Sequence, residues 1–201
     1  ESVDERHVVQ AWVHEHAANY GGDPNQIILA GESAGGNLVT SLTIATCFEP
    51  EEAWARTVYD LGVVPTATIS ACPILEVSNV QRYLDSKRID RFSKGVLRDI
   101  SWSYTRFMDP NGKPSLADPI RILESDLTSS RPLPPFFGFA GTRDLLVDDT
   151  RRLKSALDAR GSACDVHYYK GGLHAFHAFV FHPRARQCWR DQFDFLGRFV
   201  S

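Results

Sequence analysis

Gly31-Glu32-Ser33-Ala34-Gly35-Gly36-Asn37 decides how this sequence is read. It follows a short apolar run, Gln26-Ile27-Ile28-Leu29-Ala30, and opens a helix-like segment, Asn37-Leu38-Val39-Thr40-Ser41-Leu42. A strand, a sharp turn with a serine at its tip and a helix together make the context of a nucleophile elbow. In that context Ser33 takes a strained backbone conformation. Gly31 and Gly35, two residues to either side, keep side chains away where strand and helix converge. The hydroxyl then projects clear of the sheet, and the helix N-terminus directs its amides, that of Ala34 first, at a reacting oxygen. Gly-x-Ser-x-Gly also arises by chance. The flanking strand and helix patterns separate this instance from an ordinary glycine-rich turn.

Working outward, Val63–Ser70 reads as a second buried strand. Phe136–Ala140, after Leu133-Pro134-Pro135, reads as a third, and Ala163–Tyr169 as a fourth. Helices are expected from Val3 to about Ala18, from the elbow to about Thr46, over Asp149–Arg160 and over Pro183–Val200. The stretch from Glu76 to about Gly112 mixes aromatic and charged residues and reads as helical and loop-bearing. Strands alternating with helices imply an α/β fold: a mostly parallel sheet with helices on both faces.

The 201 residues suit one domain, and a formal net charge of −3 gives no basic field for nucleic acid. No run of about 18 apolar residues is present, so no membrane-spanning segment is expected. Cys47, Cys72, Cys164 and Cys188 are far apart and lack Cys-x-x-Cys spacing. They read as small hydrophobes in a reducing, cytoplasmic setting rather than as a disulfide frame or zinc site.

Serine is a weak nucleophile until a base takes its proton and a carboxylate orients that base. In a doubly wound sheet such groups collect on loops at the carboxyl ends of strands. Asp144 lies where the loop Gly141-Thr142-Arg143-Asp144 leaves the third strand. Asp148 and Asp149 fall at the start of the next helix, where capping and the helix dipole account for acidic residues. Asp144 is therefore the preferred acid and Asp148 the alternative. After the fourth strand comes Lys170-Gly171-Gly172-Leu173-His174-Ala175-Phe176-His177. His174 is the preferred base, with His177 as its rival. The order Ser33, Asp144, His174 is that of a catalytic triad on such a sheet. His174, His177 and His182 come with no His-Glu-x-x-His pattern, so no metal site and no cofactor are expected.

Together these residues resemble the hormone-sensitive-lipase-like branch of the α/β-hydrolases, the bacterial esterases sometimes called family IV. The resemblance is carried by Trp12 with the turn Tyr20-Gly21-Gly22-Asp23-Pro24, and by the elbow with Glu32 at its second position. It continues through Pro134-Pro135, Asp144-Leu145-Leu146-Val147-Asp148-Asp149, and Gly171-Gly172-Leu173-His174-Ala175-Phe176, where the family usually has glycine at the position of Ala175. It implies a serine carboxylic-ester hydrolase acting on short-to-medium acyl esters, with variable cap or loop material around 76–112. An amidase or arylformamidase on the same fold, a non-catalytic small-ligand-binding relative, or an inactive fragment are the other readings. The family also carries a His-Gly-Gly-Gly loop well ahead of the elbow. No such motif occurs in these residues, and the chain looks like the family's C-terminal two-thirds. The strand before Ser33 then becomes an exposed sheet edge, which invites self-association.

Overall fold

The computed structural model of the protein describes residues 4–50, 53–85, 91–105 and 113–200. Four short strands, β1 (Ile28–Glu32), β2 (Ala67–Ala71), β3 (Phe136–Gly141) and β4 (Cys164–Tyr169), form one parallel sheet in chain order. Parallel neighbours require crossover connections. α1 (Asp4–His16) precedes the sheet, and α2 (Ala34–Cys47) and α3 (Ala53–Asp60) join β1 to β2. α4 (Gln81–Leu84), α5 (Arg91–Thr105) and α6 (Pro119–Leu123) join β2 to β3. α7 (Val147–Ala159) joins β3 to β4, and α8 (Pro183–Leu196) follows β4.

The two inner strands are buried along their whole length, which is why β3 is an uninterrupted apolar run rather than an alternating one. Its side chains still alternate between faces. Phe136 packs with Ile44, Leu75, Leu153 and Leu157 on one side of the sheet, while Phe137 and Phe139 pack with Tyr169, Cys188 and Phe195 on the other. α2 is seated on β2 by hydroxyl pairs: Thr40 Oγ1 lies 3.0 Å from Ser70 Oγ, and Thr43 Oγ1 lies 2.8 Å from Thr68 Oγ1. These threonines are spaced at three residues on one helix face, and the pairing satisfies their buried polar atoms.

Some element ends differ from the sequence reading. β2 begins at Ala67 rather than Val63, because Pro65 has no N–H to give a ladder. β1 extends to Glu32, so the elbow starts inside the strand. α8 stops at Leu196, before Gly197, rather than at Val200. Of the stretch expected to be cap or loop, residues 86–90 and 106–112 lie outside the described residues. Among the described residues, no helix is long and apolar enough to cross a membrane.

Candidate active site

Ser33 links β1 to α2 with φ 57° and ψ −114°, a conformation that costs a non-glycine residue about 1–3 kcal/mol. Surrounding bonds hold it there. Ser33 N–H donates to the Ala71 carbonyl at 2.9 Å, and the Ser33 carbonyl accepts from Asn37 N at 3.1 Å and Ile74 N at 3.3 Å. The buried Asn37 side chain donates to the carbonyls of Ile74 and Ala117, both at 2.9 Å, tying the first turn of α2 to the loops beyond β2. The leading amides of α2, including that of Ala34, have no acceptor within the helix. The Ser33 side chain does not cap them.

The glycines of the elbow divide differently from the sequence expectation. A Cβ on Gly31 would lie 2.2 Å from the Gly35 carbonyl oxygen, so strand and helix meet there without room for a side chain. A Cβ on Gly35 would meet nothing within 4 Å; its backbone makes the close approach, and its side-chain position is open. The second sterically confined position is Gly36, where a Cβ would lie 2.9 Å from Pro73 Cβ.

Asp144 and His174 come from the tips of the adjacent strands β3 and β4. Their loops touch so closely that a Cβ on Gly141 would lie 2.2 Å from the Gly172 carbonyl oxygen. Arg143 N–H donates to that same carbonyl at 2.9 Å. Gly171 takes φ 71°, and Ala175, just past His174, takes φ 55°. The Asp144 side chain is fully buried. Its Oδ1 accepts from Leu146 N at 2.8 Å, and His174 Nδ1 lies 3.1 Å from Oδ1 and 3.0 Å from Oδ2. Burial of the His174 ring opposes its protonation. The hydrogen bond and charge of Asp144, with the charge of Glu32, outweigh this and raise the imidazole above its ordinary value. Its side chain stays 40% exposed. Ser33, Asp144 and His174 line one cavity of about 230 Å³, walled by Leu145 and Leu146 and by Val96, Leu97 and Ile100 of α5.

His177, the rival base, is buried and faces another carboxylate: its Nε2 lies 3.3 Å from Glu32 Oε2, and its Nδ1 has no partner. Burial lowers its pKa, helped by the charge of His174 and resisted by that of Glu32. Asp148 is exposed and pairs with Arg151 at 2.5 Å. Asp149 is no cap, in contrast to the sequence reading. It is fully buried, accepts from Leu75 N at 2.6 Å, and has Arg82 Nη1 2.6 Å from Oδ1, close enough for an ion pair but poorly aligned for a hydrogen bond.

Two features escaped the sequence reading. One is the Glu32–His177 pair, signalled only by an acidic residue inside the elbow motif. The other is the place of Cys72 beside Asp144 and His174: just past β2, with φ 43°, it is fully buried, as its reading as a small hydrophobe expects, and burial chiefly pushes its thiol far up. Ligand atoms of Cys72, Asp144 and His174 lie within 4.8 Å of one another. Among the described residues this is the one group able to hold a metal ion, and two of its three members already bind each other.

The chain is similar to several known proteins. The carboxylic ester hydrolase LipN of Mycobacterium tuberculosis is 27% identical over 187 residues, 87% of this chain and 44% of that protein. An acetyl esterase of Salmonella paratyphi B is 27% identical over 177 residues, 88% of this chain and 50% of that protein. The chain thus spans about half, or less, of the length of these relatives. A solved esterase from the bacterial hormone-sensitive lipase family superposes with a TM-score of 0.70 at 23% identity, covering 95% of this chain and 58% of that one. The family described as alpha/beta hydrolase fold matches residues 1–178, and the chain belongs to that family, in its hormone-sensitive-lipase-like branch.

Proposed function

We propose that this chain hydrolyses carboxylic esters by acyl transfer through Ser33. The observation that carries the reading is the single cavity in which a serine on a strained elbow meets a hydrogen-bonded Asp144–His174 pair. Ser33 Oγ attacks the ester carbonyl while His174 Nε2 takes its proton. Nδ1–H of His174 remains on Asp144, which sets the tautomer and stabilises the imidazolium that forms. The Ala34 amide donates to the oxyanion. His174 then passes its proton to the leaving alcohol. The same ring next activates the water that releases the acid and regenerates Ser33. These steps use only side chains and backbone of the protein, with no organic cofactor or metal.

The activities by which the two relatives are named, carboxylic ester hydrolase and acetyl esterase, support this choice of reaction. The cavity is small and its α5 wall is apolar, which suits short-to-medium acyl groups. α5 then serves as cap material over the serine within a single hydrolase domain. Four free cysteines suit work in the reducing cytoplasm. Among the described residues β1 is paired on one side only, and Val9, Val13, Leu38 and Val39 line an apolar groove beside it. Self-association through this edge is part of the proposal, and light scattering across a concentration series tests it.

Ser33→Ala tests the central assignment. Turnover of a short-chain p-nitrophenyl ester should fall by about 10⁴-fold or more, and an organophosphonate probe should label Ser33 in the unaltered chain alone. Retained turnover, with no adduct at Ser33, defeats the reading.

A further inference from the structure

We propose that the loop following His174 and the start of α8 form a docking surface for membranes rich in anionic phospholipid. The turn Phe176–Ala178 buries Phe176 and His177, and the chain then reverses outward. Phe179 is left 69% exposed and Phe181 90% exposed, with Val180 half exposed between them. Large side chains this bare, three in succession, are unusual on a soluble surface and mark an interaction site. Trp189 of α8 is bound to the same loop through its indole N–H, which donates to the His177 carbonyl at 3.0 Å. Its ring lies 6.2 Å from that of Phe193, itself exposed. An apolar loop thus continues onto a tryptophan with a polar handle, the kind of residue that settles at a lipid–water boundary.

Charge selects the partner. The chain as a whole is at −3, yet from Lys170 through Arg190 it contains Lys170, Arg184, Arg186 and Arg190 and not one Asp or Glu. None of these four pairs with a described carboxylate. Asp191, the next acid on α8, is engaged by the Tyr169 hydroxyl at 2.6 Å. Cations that flank the aromatic loop in the sequence and lack a described carboxylate partner complement a layer of lipid phosphates: the aromatics enter the interface and the arginines stay at headgroup level. A second copy of this chain would bring the same cations against one another. Leu173, 57% exposed, is the residue immediately before His174, so the surface begins beside the mouth of the cavity.

Sedimentation of the whole chain with phospholipid vesicles tests this. Binding to vesicles with about 30% phosphatidylglycerol should exceed binding to pure phosphatidylcholine by about tenfold or more, and should weaken at high salt. Two double variants separate the parts: Phe179→Ser with Phe181→Ser should lose binding to both vesicle types, and Arg186→Glu with Arg190→Glu should lose only the preference for the anionic ones. Circular dichroism melting should be unchanged in both, since these side chains are exposed. Equal affinity for the two vesicle types overturns the proposal. So does absence of vesicle binding together with a dimer, seen by light scattering, that Phe179→Ser with Phe181→Ser dissolves; the face is then a contact between copies.

Discussion

The imidazole of His177 lies 3.3 Å from the Glu32 carboxylate, whereas His174, three residues earlier, takes Asp144 at 3.0 Å. Two histidines on one short loop thus answer to two different acids. Only His174 lines the cavity that contains Ser33. His174→Ala should remove about 10⁴-fold of the ester kcat/KM, as loss of one member of a unit does. His177→Gln, which keeps a donor near Glu32, should stay within about tenfold of the unaltered chain. Reversed severities would make His177 the base.

The acid limb of the kcat/KM profile should lie above the ordinary histidine value of about 6.5. Neutral His174 is the form that accepts the serine proton, so activity is lost as pH falls through its raised pKa. Asp144→Asn removes the charge that holds that pKa up and replaces a charge-assisted hydrogen bond with at most a neutral one, so that ring burial is opposed mainly by Glu32. The limb should therefore move to lower pH while the plateau falls by about 10⁴-fold. Glu32→Gln should move it in the same direction by less. A limb that stays in place in Asp144→Asn belongs to another group.

The parallel sheet was legible, and with it the convergence of Ser33, Asp144 and His174 on one cavity, because each rests on local pattern: an apolar run, then a loop with one chemically competent residue. Asp149 was misread for the opposite reason. An aspartate in the first turn of a helix has a sufficient local explanation, and only the fold brings Leu75 and Arg82 to it. Ala175 is a similar case. Its left-handed backbone, φ 55°, explains why glycine is usual at that position in the family it resembles, but alanine itself carries no sign of that angle.

Gly31→Ala and Gly35→Ala should differ in sign. The first forces a methyl to within 2.2 Å of a backbone oxygen and should abolish folding or disrupt the elbow. The second adds a methyl with no neighbour within 4 Å, in the first turn of α2, where alanine is preferred over glycine by about 0.5–1 kcal/mol. Urea unfolding should show Gly35→Ala equal to or more stable than the unaltered chain. Strong destabilisation there would mean that Gly35, like Gly31, is confined.

Asp149→Asn should destabilise the protein by about 3–5 kcal/mol in urea unfolding, the usual cost of leaving one half of a buried ion pair behind. Arg82 has a side chain only 21% exposed and would lose the nearer of its two carboxylates, keeping only Glu76 at 3.6 Å, while Leu75 N–H would lose a charged acceptor at 2.6 Å. Asp148→Asn, one residue earlier, should change stability by about 0.5 kcal/mol or less, because its partner Arg151 is solvent-facing. The consequence reaches the site. Asp149 joins α7 to the loop after β2, and Asp144 sits in the loop that leads into α7. Asp149→Asn should therefore also lower the ester kcat at temperatures where the variant is still folded, with KM changed less. Equal stability losses in the two variants would show that Asp149 serves as a helix-start acid after all.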